Sequence, residues 1–119
     1  MATPQDVLHE LGDPTRLRVL RAVLAGRKNV TQIVTELGLA QPQVSYHLKR
    51  LKDVGLAVEE KQGRWVYYEA NRASEDDRIR SLLALLGSWL DGTALIEPSL
   101  RPVVPKPERK QDDIEDFLL

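Results

Sequence analysis

The stretch Val30–Ala70, VTQIVTELGLAQPQVSYHLKRLKDVGLAVEEKQGRWVYYEA, decides the fold. From Thr31, TQIVTEL predicts a short helix that Gly38 closes, and Gly38-Leu39-Ala40-Gln41 is a tight turn. A second helix is predicted from about Pro42 to Val54, ended by Gly55. Its Val44, Leu48 and Leu51 recur at i, i+4 and i+7, which makes one apolar stripe. The period then drops to two. Residues 57–61 and 64–70 predict two strands rich in Val, Trp and Tyr, joined at Gln62-Gly63. Two short helices across a glycine turn, followed by a hairpin, predict a winged helix-turn-helix. The fold class is mainly α with a small antiparallel β-hairpin wing.

Upstream, Thr3-Pro4 opens a predicted helix over residues 4–11 that Gly12 ends, and Asp13-Pro14 caps the next. Leu17, Leu20, Val23 and Leu24 give that helix its stripe, and Gly26 stops it. Downstream, a long helix is predicted from about Ser74 to Leu90, with Ile79, Leu82, Leu83, Leu86 and Leu90 on one face. These elements predict one domain over residues 1–92. Pro98, Pro102, Pro105 and Pro107 make 93–110 a Pro-rich linker, and 111–119, QDDIEDFLL, an acidic amphipathic end.

The chemistry expected of this fold lies on the second helix of the pair. With its stripe against the core, its other face displays Gln41, Gln43, Ser45, Tyr46, His47, Lys49 and Arg50 to a major groove about as wide as a helix. Amides and hydroxyls suit base edges; Lys49 and Arg50 suit phosphate or guanine. At the hairpin tip, Lys61, Gln62 and Arg64 reach for flanking backbone or a minor groove. His47 is read as a DNA contact, against the alternative of a partly buried imidazole. Arg16 is read as pairing with a carboxylate rather than touching phosphate, and Trp65 and Trp89 as packing residues.

The combination LGDPTRLRVL, QPQVSYHLKRL and KQGRWVYYE resembles the ArsR-type winged-helix repressors over roughly residues 7–90. The resemblance implies a repressor and a homodimer packed through the first and last helices. Leu8, Leu11, Ile79, Leu82, Leu83, Leu86, Trp89 and Leu90 are the candidate interface, with His9 on the same surface. Many members of that family bind metal or arsenic through a Cys-Val-Cys motif. The matching positions here are Asn29-Val30-Thr31, without thiolates. A second family site uses Asp and His on the last helix. Here that helix has no histidine, and Asp76, Asp77 and Asp91 read as a solvated face. No metal and no cofactor is expected.

The tail has a different resemblance. Gln111, Ile114, Phe117 and Leu118 match the spacing of the PIP box that docks on the PCNA sliding clamp. A DNA-binding adaptor of replication or repair is therefore the alternative function, and a winged helix used only for protein contacts a weaker third. A disordered tail, or one folded back on the dimer, is the alternative for the segment itself.

Composition limits the rest. The 119 residues include no cysteine, which removes disulfides, thiol redox chemistry and cysteine nucleophiles. Early charges argue against a signal peptide and no apolar run reaches a bilayer span, so a cytoplasmic protein is expected. Net charge is −1, but residues 97–119 hold four basic and six acidic groups, leaving 13 basic and 12 acidic before them. A locally basic face is compatible with that balance. No phosphate loop or nucleophile–base–acid set is present, so no enzyme is expected.

Overall fold

The computed structural model describes residues 2–91. Helix α1 (Pro4–Leu11) begins in a capping box: the Asp6 amide donates to Thr3 Oγ1 and the Thr3 amide to the Asp6 carboxylate, both at 3.1 Å. Asp13 caps α2 (Pro14–Ala25), accepting from the amides of Thr15 at 2.9 Å and Arg16 at 3.2 Å. A two-residue strand β1 (Lys28–Asn29) leads into α3 (Val30–Leu37), which Asn29 caps in a reciprocal pair with Gln32. Gly38, at φ 69°, takes the left-handed turn that sends the chain into α4 (Gln41–Asp53). Strands β2 (Ala57–Gln62) and β3 (Trp65–Ala70) form the wing, and α5 (Asp77–Leu90) closes the described chain.

The sheet is antiparallel in the order β1-β3-β2. The wing is thus one strand richer than a hairpin. Lys28 and Asn29 pair with Tyr68 and Tyr67, in a run too short to show any period in sequence. Gln62 pairs with Trp65, so the turn centres on Gly63-Arg64, one residue later than expected. Gly63 sits at φ 63°, a conformation that a side chain makes costly. Helix α5 starts three residues after Ser74; Ser74 Oγ instead accepts from the Asp76 amide, and Asp76 caps the helix.

The core forms where helix stripes converge. Val19, Leu20 and Val23 of α2, Ile33 of α3, and Val44, Leu48 and Leu51 of α4 are fully enclosed together with Leu56. Each such side chain contributes about 1.5–3 kcal/mol by leaving water. Helix α5 packs on α2 with Ile79, Leu83, Leu86 and Leu90 turned inward. This corrects the interface reading of those four: Leu83 is 1 % exposed and belongs to the protomer's own core. Leu11 and Leu82 are half-buried against the same core. Leu8 and Trp89 do face outward, joined by Leu85, which the one-stripe reading of α5 passed over. The linker 93–110 and the tail residues Gln111, Ile114, Phe117 and Leu118 lie outside the described residues.

Candidate nucleic-acid interface

Helix α4 owes its two faces to its stripe. Val44, Leu48 and Leu51 anchor it, and the same rotation turns Gln41, Gln43, Ser45, Tyr46 and Lys49 outward, all exposed. Tyr46 is the large side chain of that surface, 53 % exposed. Lys49 pairs with Asp53 one turn on, at 3.2 Å, in a geometry that water screens and a phosphate can displace. On the wing, Lys61, Gln62 and Arg64 are exposed, and Arg64 forms no ion pair among the described residues. Of the ten residues expected at a DNA surface, eight are exposed and Arg50 is half-buried.

His47 is the exception, and a correction. It is 5 % exposed, and its Nδ1 accepts a hydrogen bond from Arg16 Nε at 3.2 Å. The reason is angular: position 47 lies three residues after Val44 and four before Leu51, so it shares their side of the helix. Its ring meets that of Tyr46 edge-on, with centroids 5.3 Å apart. Arg16 pairs with a carboxylate as expected, and the partner is Glu10, at 2.5 Å. Arg50 reaches the same carboxylate, its Nε at 3.1 Å and Nη2 at 2.5 Å. The Glu10 carboxyl is held below its ordinary range first by the hydrogen bond from Arg50, against the opposing effect of burial. Sequence reasoning passed over Glu10; the available signal was a charged residue three positions after Val7 on the buried face of α1.

A second set of contacts fixes the wing to α4. Glu59 of β2 accepts from Lys52 Nζ at 2.8 Å and from the Tyr68 hydroxyl at 2.9 Å. Burial, and then that hydrogen bond, push the Tyr68 hydroxyl up to about 12. Arg27 adds a clamp from the other side, with its guanidinium 4.9 Å from the Tyr67 ring and 3.1 Å from Glu60. Trp65, expected as a packing residue, is 52 % exposed beside the wing turn, and Trp89, expected at a dimer interface, is 67 % exposed.

At the positions matched to a thiolate site, Asn29 spends its side chain capping α3 and Thr31 is exposed. Among the described residues no three His, Asp or Glu side chains cluster as metal ligands, and no helix is long and apolar enough to cross a membrane.

Residues 13–58 match the model of the bacterial regulatory proteins of the arsR family. The chain is 38 % identical to the arsenic resistance transcriptional regulator ArsR2 of Pseudomonas putida over 80 % of its own length and 86 % of that protein's. It is 34 % identical to an uncharacterised HTH-type transcriptional regulator of Methanocaldococcus jannaschii, over 68 % and 88 %. Among solved structures it resembles the homodimeric winged helix-turn-helix DNA-binding domain of a possible ArsR-family regulator from Mycobacterium bovis. That likeness has TM-score 0.61 and 26 % identity, over 73 % of this chain and 77 % of that one. An ArsR-like transcriptional regulator from a Rhodococcus species gives TM-score 0.58 and 26 % identity, over 74 % and 82 %.

Proposed function

The chain belongs to the arsR family of regulatory proteins, and from that premise we propose that it is a homodimeric, sequence-specific repressor that reads duplex DNA with α4. It is a DNA-binding transcription regulator of winged helix-turn-helix fold. The observation that carries the finer reading is the outer face of α4, where Gln41, Gln43, Ser45 and Tyr46 stand exposed on a helix whose opposite side is wholly buried. In this reading Gln43 and Tyr46 take base edges. Lys49 and the wing residues Lys61, Gln62 and Arg64 take phosphate. Without cysteine, the chain cannot release DNA by binding metal or arsenic on thiolates, nor by thiol oxidation. We assign it no catalytic role and a cytoplasmic place of work.

The test is selection of bound duplexes from random DNA at physiological salt, followed by affinity for a selected and a scrambled site. A selected site that binds at least 10³-fold more tightly is expected of a specific regulator. Equal affinity for both sinks the reading. Gln43→Ala and Tyr46→Ala should relax preference, whereas Arg64→Ala should weaken binding to every duplex and flatten its salt dependence.

The tail supports one separable proposal on its residue spacing alone: that 111–118 docks on a sliding clamp as a short peptide. Calorimetry of a 106–119 peptide against a PCNA ring, beside a Phe117→Ala control, tests it; heat in the first that vanishes in the second supports docking, and none in either ends it.

A further inference from the structure

Behind the exposed face of α4 lies a group that DNA contact does not account for. Glu10, on the last turn of α1, is 5 % exposed. Its carboxylate receives both α2 and α4. Arg16 Nη1 donates to Oε1 at 2.5 Å, Arg50 Nε to Oε1 at 3.1 Å, and Arg50 Nη2 to Oε2 at 2.5 Å. Arg16 is held in turn: Nη1 donates to the Glu10 carbonyl at 3.2 Å, Nε to His47 Nδ1 at 3.2 Å, and Nη2 lies 3.8 Å from Asp13 Oδ2. Two carboxylates and two guanidiniums make the cluster neutral, so it holds no surplus cation for a phosphate to claim.

The cluster ends at Tyr46. The guanidinium of Arg16 lies 5.7 Å and that of Arg50 6.0 Å from the centroid of its ring. A cation at that range is attracted to an aromatic face, so both guanidiniums constrain where the exposed ring stands. Arg50 has five donors in a rigid fork, and the bidentate grip of Glu10 is the geometry that fork prefers. Lys49, next to it, has among the described residues an exposed, solvent-screened partner in Asp53. The two basic residues of α4 therefore differ in kind.

We propose that Glu10 is a positioning residue for DNA recognition: its carboxylate holds the Arg50 guanidinium, so that Arg50 supports the Tyr46 ring instead of neutralising a phosphate, and the setting of α1 reaches the reading face of α4 through this one group. The proposal rests on the reading of α4 as the DNA-reading helix. It goes beyond it in assigning Arg50 to the protein rather than to the DNA backbone, and in giving α1 a part in sequence preference.

The test compares wild type, Glu10→Gln, Arg50→Ala and Lys49→Ala on a selected and a scrambled duplex across a salt series. Glu10→Gln and Arg50→Ala should each cut the ratio of selected to scrambled affinity at least fivefold while leaving the salt slope unchanged. The double variant should lose no more than Arg50→Ala alone. Lys49→Ala, which removes one phosphate contact from each protomer of the dimer, should flatten the slope by about 1.8 and spare the ratio. Arg50→Ala leaves the Glu10–Arg16 pair intact and decides the matter if Glu10→Gln does not fold. Flattening by about 1.8 in Arg50→Ala, or an unchanged ratio, overturns the proposal. A measurement without DNA separates it from the wider reading: the Arg50 Nε–H proton should exchange slowly with water in wild type and fast in Glu10→Gln. Fast exchange in wild type overturns the clamp itself; equal wild-type affinity for both duplexes, with slow exchange, overturns the reading of α4 as a sequence reader and with it the part of Glu10 in recognition, and leaves the Glu10–Arg50 clamp as a purely structural contact.

Discussion

Glu10 shows how much of this molecule is decided by single side chains far apart in sequence. Arg50 lies 40 positions away, so no local pattern announces the pair; Arg16 could be read as wanting a carboxylate, but not which one. His47 was misassigned for a related reason. A stripe counted only at Val44, Leu48 and Leu51 leaves out the position between them, and a polar residue there reads as outward until a buried Arg16 is found to meet it. The ionised state of Glu10 has a consequence for acid stability. Its folded pKa lies below the ordinary 4.5, so its contribution is fully present above that value and is lost as pH falls through the lower folded one. Wild type should therefore lose stability on acidification below about pH 4.5, and Glu10→Gln should show a flatter acid limb. Asp6, Asp76 and Glu59 are also depressed and will leave the variant some residual slope. At neutral pH the same variant should be less stable by roughly 3 kcal/mol, because Arg16 is left buried without its carboxylate. Urea unfolding at several pH values measures both; parallel acid limbs for the two proteins would contradict the assignment.

Among the elements, helices α1 to α4 were legible because their caps and stripes are local: Thr3-Pro4, Asp13-Pro14 and Gly38 each do in the structure what their residue types predict. The wing was legible only in outline. Its third strand has no period to show, its turn lies one residue on from the expected place, and its ties to α4 run through Glu59 from Lys52 and Tyr68. Those ties hold β2 against α4 and, in the proposed reading, bear on whether helix and wing tip engage one duplex together. Tyr68→Phe removes one hydrogen bond to Glu59 and keeps the ring, and should cost about 1 kcal/mol. Gly63→Ala puts a side chain at φ 63° and should cost about 1–2 kcal/mol. Their effects on DNA should differ. Gly63→Ala disturbs the tip that carries Arg64 and should weaken binding to all sequences, whereas Tyr68→Phe should chiefly speed amide exchange across β2 and β3. Hydrogen exchange and salt-series binding on the two variants distinguish them; identical behaviour would mean that the wing moves as one rigid piece.

At the scale of the whole molecule, the described chain leaves apolar surface that one protomer does not cover: Leu8 on α1, 64 % exposed, and Leu85 on α5, 57 % exposed. On α5, Leu83 and Leu86 lie in the protomer's core and Leu85 faces outward. The helical stripe groups Ile79, Leu83, Leu86 and Leu90 but cannot say whether the same chain or a second copy covers them, and Leu85, two residues from Leu83 and one from Leu86, lies off that stripe. A second copy of the chain is the occupant we propose, consistent with the homodimeric winged-helix domain this fold resembles. Two-fold symmetry then presents two α4 helices to one face of the duplex. The bound site should be roughly palindromic, with half-sites about 10 base pairs apart. Leu8→Glu places a charge on the shared surface without touching the enclosed core, so it should yield a folded monomer of near wild-type thermal stability or one modestly below it. Because that monomer reaches half the phosphates, the log–log salt slope should fall to about half the dimer's. Its affinity for a full palindrome should drop by at least a hundredfold, since the second half-site no longer binds at the high effective concentration of a linked partner. Sedimentation equilibrium gives the mass and fluorescence anisotropy across salt gives the slope. A Leu8→Glu protein that sediments as a dimer and keeps the full slope would place the interface elsewhere on α5; a wild type that sediments as a monomer while still selecting palindromes would mean that DNA itself brings the two copies together.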